Sequence, residues 1–152
     1  MIKKFFIILS LFTIINFVNC KMTETQEVFV NSIVTHGTNI DLKLREVIKE
    51  DSNLNNLKKK SLLGWFESFL LLAVELKKST KEGVFPNGAS PFQKNAIKTL
   101  VKNLEYGDKY FKKIINNNKK LTDLEKNFYL KEYNKMKKSI IDLAKTEGIN
   151  GN

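Results

Sequence analysis

Few side chains in this sequence carry chemistry, and their spacing narrows what they can do. One histidine, His36, stands before Gly37 in "VTHGTN", and one cysteine, Cys20, closes "IINFVNC". A metal centre needs several His, Cys or carboxylate ligands at close helical or loop spacing, and the sequence offers no such cluster. It has no Cys-x-x-Cys, no His-Glu-x-x-His, no Gly-rich phosphate loop and no Gly-x-Ser-x-Gly elbow. A Ser-His-acid set assembles in space and leaves no fixed spacing; His36 is read instead as a surface or helix-packing residue. Glu67 and Glu75 lie in a very apolar stretch and would make an acid–base pair if they met. Eight positions apart on one helical stripe, they read as a solvated edge. The expectation is a protein with no catalytic residues, no metal and no cofactor.

The lysines are the remaining candidates. Formal net charge is +10, and Arg45 is the only arginine. From Lys77 onward there are 17 basic and 8 acidic side chains; from Cys20 to Leu76 there are 7 and 8. Lysine is a hydrated point charge, whereas arginine is the fork that reads phosphate or carboxylate bidentately. Lys94, Lys98, Lys102, Lys109 and Lys113 recur on or near one side of a third helix, and Lys126, Lys131, Lys135 and Lys138 do likewise on a fourth. If those helices are antiparallel neighbours, the nine would merge into a basic face for sulfated polysaccharide, anionic headgroups or an acidic protein. The alternative is a plain solvated surface. With one arginine and no recognition motif, nucleic acid is not an expected partner.

The N-terminus says where such a face would be held. Lys3 and Lys4 precede a run from Phe5 to Val18 broken only by Ser10, Thr13 and Asn16. That run is shorter than the roughly 20 apolar residues of a spanning helix, so residues 1–19 read as a targeting segment outside the fold. Cys20 has no partner for an internal disulfide, which leaves intermolecular pairing, a free thiol, or lipidation. The arrangement resembles a bacterial lipoprotein signal, in which the cysteine after the apolar run is acylated and becomes the new N-terminus. The usual pattern has a Leu-like residue three positions earlier and Gly, Ala or Ser just before. Phe17 and Asn19 stand there instead, as the looser spirochaete signals tolerate.

Cleavage there leaves 133 of 152 residues, enough for one domain with its own core. Helical periodicity organises them throughout. Thr23 and Gln26 have capping-box spacing. A stripe continues through Phe29, Ile33, Gly37, Ile40, Leu44 and Val47; Gly37 either breaks this first helix, with Thr38 and Asp41 capping a second piece, or admits a neighbour closely. A turn spans Asp51 to Asn56. The second helix, about Leu57 to Thr80, is apolar nearly all round (Leu62, Trp65, Phe66, Phe69, Leu70, Ala73, Leu76), as central helices are; its rival role is a partner-binding face. Gly83 to Ala89 is a Pro-Asn-Gly loop. Ser90, Pro91 and Gln93 satisfy three helix-start rules at once, and the third helix carries Ile97, Leu100, Val101, Leu104, Gly107, Phe111, Ile114 and Ile115. Thr122 and Glu125 open a fourth, with Tyr129, Tyr133, Met136, Ile140 and Leu143, ending near Gly148.

The expected fold is all-α: a four-helix antiparallel up-down bundle over residues 23–148, after residues 20–22 as lipidated start and short tether, with 149–152 a disordered tail. A monomer is favoured, a homodimer being the alternative.

A loose lipoprotein signal, a chain rich in Lys, Asn, Ile and Phe, and a small helical domain without further cysteine together resemble the Borrelia plasmid-encoded outer-surface lipoproteins, with a further likeness to the small OrfD-type helical ones. No diagnostic motif and no family site residue carries over. What the resemblance implies is a palmitate-type lipid on Cys20, attachment to the outer membrane facing outward, and a role as a surface antigen in adhesion, host-protein capture or immune evasion. Many such lipoproteins have a long tether; here only Lys21 and Met22 precede the first capping box. The competing expectation is a periplasm-facing lipoprotein that binds a partner through the apolar second helix.

Overall fold

The structure is a computed structural model that describes residues 22–80 and 89–149, apart from the side chains of Leu42 and Lys43. The targeting segment, Cys20, Lys21, residues 83–88 of the Pro-Asn-Gly loop and residues 150–152 lie outside the described residues. Among the described residues there is no strand. Four helical rods are present: α1 is Glu24–Glu50, α2 is Asn56–Ser79, α3 begins as Pro91–Tyr106, and α4 is Asp123–Thr146. The third rod does not stop at Tyr106. It passes through a π-helical turn, Gly107–Phe111, and ends as Lys112–Asn117.

The three caps expected from the sequence form. Thr23, Ser90 and Thr122 each accept a backbone N–H from the residue three positions on, and Gln26, Gln93 and Glu125 reach back to the cap. Each box satisfies donors that a helix start otherwise leaves orphaned. Asn55 caps α2 by accepting from the Lys58 N–H at 2.9 Å.

α1 runs unbroken through Gly37, which settles the two alternatives read from the sequence. A Cβ at Gly37 would stand 3.0 Å from Leu70 Cδ1 and 3.6 Å from Met136 Sδ, so its role is close approach. The buried line on α1 runs Met22, Gln26, Val30, Ile33, Ile40, Leu44 and Ile48. Val30 and Ile48 hold the buried positions where the sequence pointed to Phe29 and Val47, which are half-buried, because α1 packs on both α2 and α4. Met22, read as tether, is 1% exposed and belongs to the core.

The contacts close a ring. α1 touches α2 and α4, and α3 touches the same two. Along α1 and α4 the pairs run in opposite directions. Gln26 Nε2 donates to Thr146 Oγ1 at 2.8 Å, Ser139 Oγ donates to Ser32 Oγ at 2.8 Å, and Lys120 Nζ bonds Glu50 Oε2 at 2.8 Å. Trp65 Nε1 donates to Asn103 Oδ1 and Gln93 Nε2 to the Ser79 carbonyl, both at 3.2 Å, joining α2 and α3. The core between the rods is Leu62, Phe66, Phe69, Ala73 and Leu76 from α2, Ile97, Leu100 and Leu104 from α3, and Tyr129, Tyr133, Met136, Ile140 and Leu143 from α4. Most of the wide apolar surface of α2 is therefore core, with Leu71 left exposed. No helix among the described residues is long and apolar enough to cross a membrane.

Candidate functional site

The surroundings of the lysines differ along the third rod, which the π turn interrupts. In an α-helix Lys94, Lys98, Lys102, Lys109 and Lys113, four to seven apart, would stay near one stripe. A π turn takes in an extra residue and rotates the rest of the rod about its axis. Lys94, before the turn, reaches Glu147 of α4 at 3.5 Å. Lys113, after it, lies on the α2 side and lines a cleft with Leu57 and Lys58. The two ends of the expected stripe thus face different neighbours. On α4, Lys135 bonds Glu132 Oε1 at 3.1 Å on the edge next to α1, and Lys138 pairs with Asp142 at 3.7 Å. Lys98, Lys102, Lys126 and Lys131 make no ion pair with any described residue, and Lys126 is half-buried. Lys94, Lys113, Lys135 and Lys138 thus have separate surroundings; positive charge also gathers elsewhere.

It gathers at the end of the molecule away from Met22. Lys58, Lys59 and Lys60 start α2, Lys109, Lys112 and Lys113 end the third rod, and Lys119 and Lys120 fill the turn between that rod and α4. Several nearby carboxylates are already engaged. The hydrogen bond from Lys120, then its charge, holds the Glu50 carboxyl below its ordinary value. Burial pushes Asp108 up, but hydrogen bonds and charges from Lys137 and Lys112 outweigh it and leave that carboxyl lowered.

Between these lysines lies a cleft of about 540 Å³, lined by the α1–α2 turn (Asp51, Asn53, Leu54), the start of α2 (Leu57, Lys58, Ser61, Leu62) and the end of the third rod (Tyr106, Tyr110, Lys113, Ile114, Asn117). Its size is that of an ordinary ligand pocket. Leu57 stands at its edge 77% exposed. The π turn brings Tyr106 and Tyr110 together, ring centroids 4.3 Å apart, and Trp65 backs Tyr106 at 5.0 Å. Burial, and then the neighbouring Tyr110, push the Tyr106 phenol up, so it stays a neutral donor at ordinary pH. Lys109 Nζ sits 5.4 Å from the Tyr110 ring centroid, a cation–π contact.

The turn that shapes this wall is held from behind. A Cβ on Gly107 would stand 2.5 Å from the Tyr133 hydroxyl and 3.1 Å from Trp65 Cη2. Tyr133 fills that space, stacks on Phe111 at 4.8 Å and donates its hydroxyl to the Leu104 carbonyl at 3.3 Å. Burial, with the nearby Asp108 carboxylate, raises the Tyr133 phenol and keeps it protonated.

A second, shallower depression of about 770 Å³ lies on the first turns of α4, lined by Asn39, Leu124, Glu125, Phe128, Tyr129 and Lys131 among others. Its exposed Leu124 and Phe128 add to the apolar surface of the same half of the molecule.

His36 is half-buried in a polar cluster around the buried Glu132. Glu132 Oε2 accepts from His36 Nδ1 and Asn39 Nδ2, each at 2.7 Å. Burial pushes this carboxyl up, but the hydrogen bonds from Asn39, His36 and Lys135 win and hold it down at about 2. Its readable signal is position: Glu132 falls on the α4 core line between Tyr129 and Met136. The cluster bridges α1 and α4; none of its residues lines the first cleft, and Asn39 also lines the second depression. Glu67 is exposed and Glu75 half-buried; they pair with Arg45 at 3.8 Å and Lys78 at 2.6 Å. No group of three or more His, Cys, Asp or Glu among the described residues could hold a metal ion. Comparison with models of protein families, with curated proteins and with solved structures finds no match.

Proposed function

We propose that this chain is a membrane-anchored, non-enzymatic binding protein. Its four rods form an up-down-up-down bundle, tied to the outer membrane through a lipid on Cys20. The far end faces outward to engage a host or vector partner, in the manner of the Borrelia surface lipoproteins that its leader and composition resemble. The observation that carries this reading is the polarity of the molecule. The N-terminal end of α1 lies beside Thr146 and Glu147, while the cleft and its lysines lie at the α1–α2 turn and the end of the third rod. α1 has 27 residues, about 40 Å at 1.5 Å per residue. Cys20 precedes the buried Met22 by two residues, a span of about 7 Å at most. An anchor at Cys20 would thus hold one end against the bilayer and present the cleft about 40 Å away.

Proteolysis of intact cells tests it. Added protease should remove the protein together with the other surface proteins while periplasmic markers survive. Survival of this chain when surface proteins are lost would refute outward presentation and favour the periplasm-facing alternative. That alternative draws on α2, where Leu71 is exposed in mid-helix and Leu57 at the start.

A further inference from the structure

We infer that the cleft at the π turn is a docking site for an acidic peptide segment of a partner protein, one that carries an aliphatic or aromatic anchor side chain. The inference rests on the binding-protein reading above and deepens it, but its support is the chemistry of the cleft. Leu54, Leu62 and Ile114 with the Tyr106 and Tyr110 rings give an apolar lining, and Leu57 at 77% exposure leaves that surface uncovered. A buried anchor in such a pocket is what most peptide interfaces depend on. On its lining Lys58 and Lys113 are exposed, and the exposed Lys109 stands against the Tyr110 ring. Asp51, the carboxylate on the lining, accepts the Asn53 N–H at 2.8 Å. The rim is therefore cationic over a wider arc than a single acid requires.

These features separate the peptide from other anions. A lipid-like acid brings one charge and needs an enclosed pocket, whereas this cleft is open to solvent along one side. A sulfated polysaccharide would use the lysines and leave the leucines without a function. The tyrosine rings lie 4.3 Å apart and Tyr106 packs on Trp65, so their faces are occupied by one another more than offered to a sugar or a base. Several carboxylates spaced around one apolar anchor use both the lining and the rim. Lysines rather than arginines suit such diffuse attraction.

The test is fluorescence anisotropy with the full chain in phosphatidylcholine nanodiscs. The probe is a fluorescein-labelled peptide of about twelve residues, with leucines and a phenylalanine one helical turn apart among glutamates. Saturable binding is expected. Leu57→Ser, Lys58→Glu with Lys113→Glu, and a probe whose Leu and Phe are replaced by Ser should each weaken it by about tenfold or more. Raising salt should weaken it further. Leu57, Lys58 and Lys113 are exposed, so these variants retain the core. Absence of saturable binding overturns the proposal. So does binding that ignores Leu57→Ser and the Ser-substituted probe, or displacement by a heparin oligosaccharide with Leu57→Ser silent, since each makes the site a reader of charge alone. Anchorage and surface exposure are read by cell proteolysis without any peptide, so failure of one reading is distinguishable from failure of the other.

Discussion

The residue that organises the interior most is Glu132, 5% exposed and held by His36, Asn39 and Lys135. Its carboxyl is lowered from 4.5 to about 2. A lowered folded-state value means that the unfolded chain binds the proton more readily. The stability Glu132 contributes is therefore fully present above pH 4.5 and is lost as pH falls towards 2. The full linkage is worth about 3 kcal/mol at most. Urea denaturation of wild type and Glu132→Gln at about pH 7 and about pH 3 isolates it. The variant should be less stable at neutral pH by about 2 kcal/mol, and the gap should shrink in acid. A gap independent of pH would mean that the carboxylate charge is not what the three donors recognise. The sequence shows half of this. His36 is a helix-packing residue, as its surroundings in the chain suggest. Its partner's one mark is its place on the core line, and a glutamate there looks like a solvated exception until a second helix brings donors to it.

At the scale of the element, the three capping boxes are legible in the sequence, and the Asn55 cap and the π turn are not. Capping boxes are local; three residues settle them, and Thr23, Ser90 and Thr122 behave accordingly. Ser90→Ala should cost about 1 kcal/mol in a thermal or urea melt, since Ser90 Oγ accepts from the Gln93 N–H and Gln93 in turn reaches the end of α2. The π turn depends on Tyr133 and Trp65, which arrive from other rods. "EYGDKYF" therefore reads as plain helix. Glycine substitutions separate the two cases. Gly64 has nothing within 4 Å of a built Cβ, so Gly64→Ala should stabilise by about 0.5–1 kcal/mol through helix propensity. Gly107→Ala meets the Tyr133 hydroxyl and should destabilise by about 1–3 kcal/mol. Tyr133→Phe removes that hydroxyl, so the double variant should recover part of the loss. If Gly107→Ala raises stability as Gly64→Ala does, the close approach does not hold the turn.

For the whole molecule, the central point is that charge and apolar exposure concentrate at one end. The helical class is readable from periodicity, and the lysine excess from counting. Which end the lysines occupy is hidden, because Lys58 to Lys60 and Lys109 to Lys120 are far apart in sequence and meet only when the rods pack. The same holds for Leu57, which the sequence offers only as the start of a helix. The buried Met22 leaves Lys21 alone between Cys20 and the packed domain, so an anchor at Cys20 would hold the near end close to its bilayer and leave the basic cleft the more accessible pole. Everything proposed about presentation depends on that anchor. Mass spectrometry of the mature N-terminal peptide tests it most directly. The account predicts a chain that begins at Cys20 and carries a thioether-linked diacylglycerol with an acylated α-amine. A mature chain with an unmodified Cys20 thiol, or one that still carries the residues before it, would contradict it.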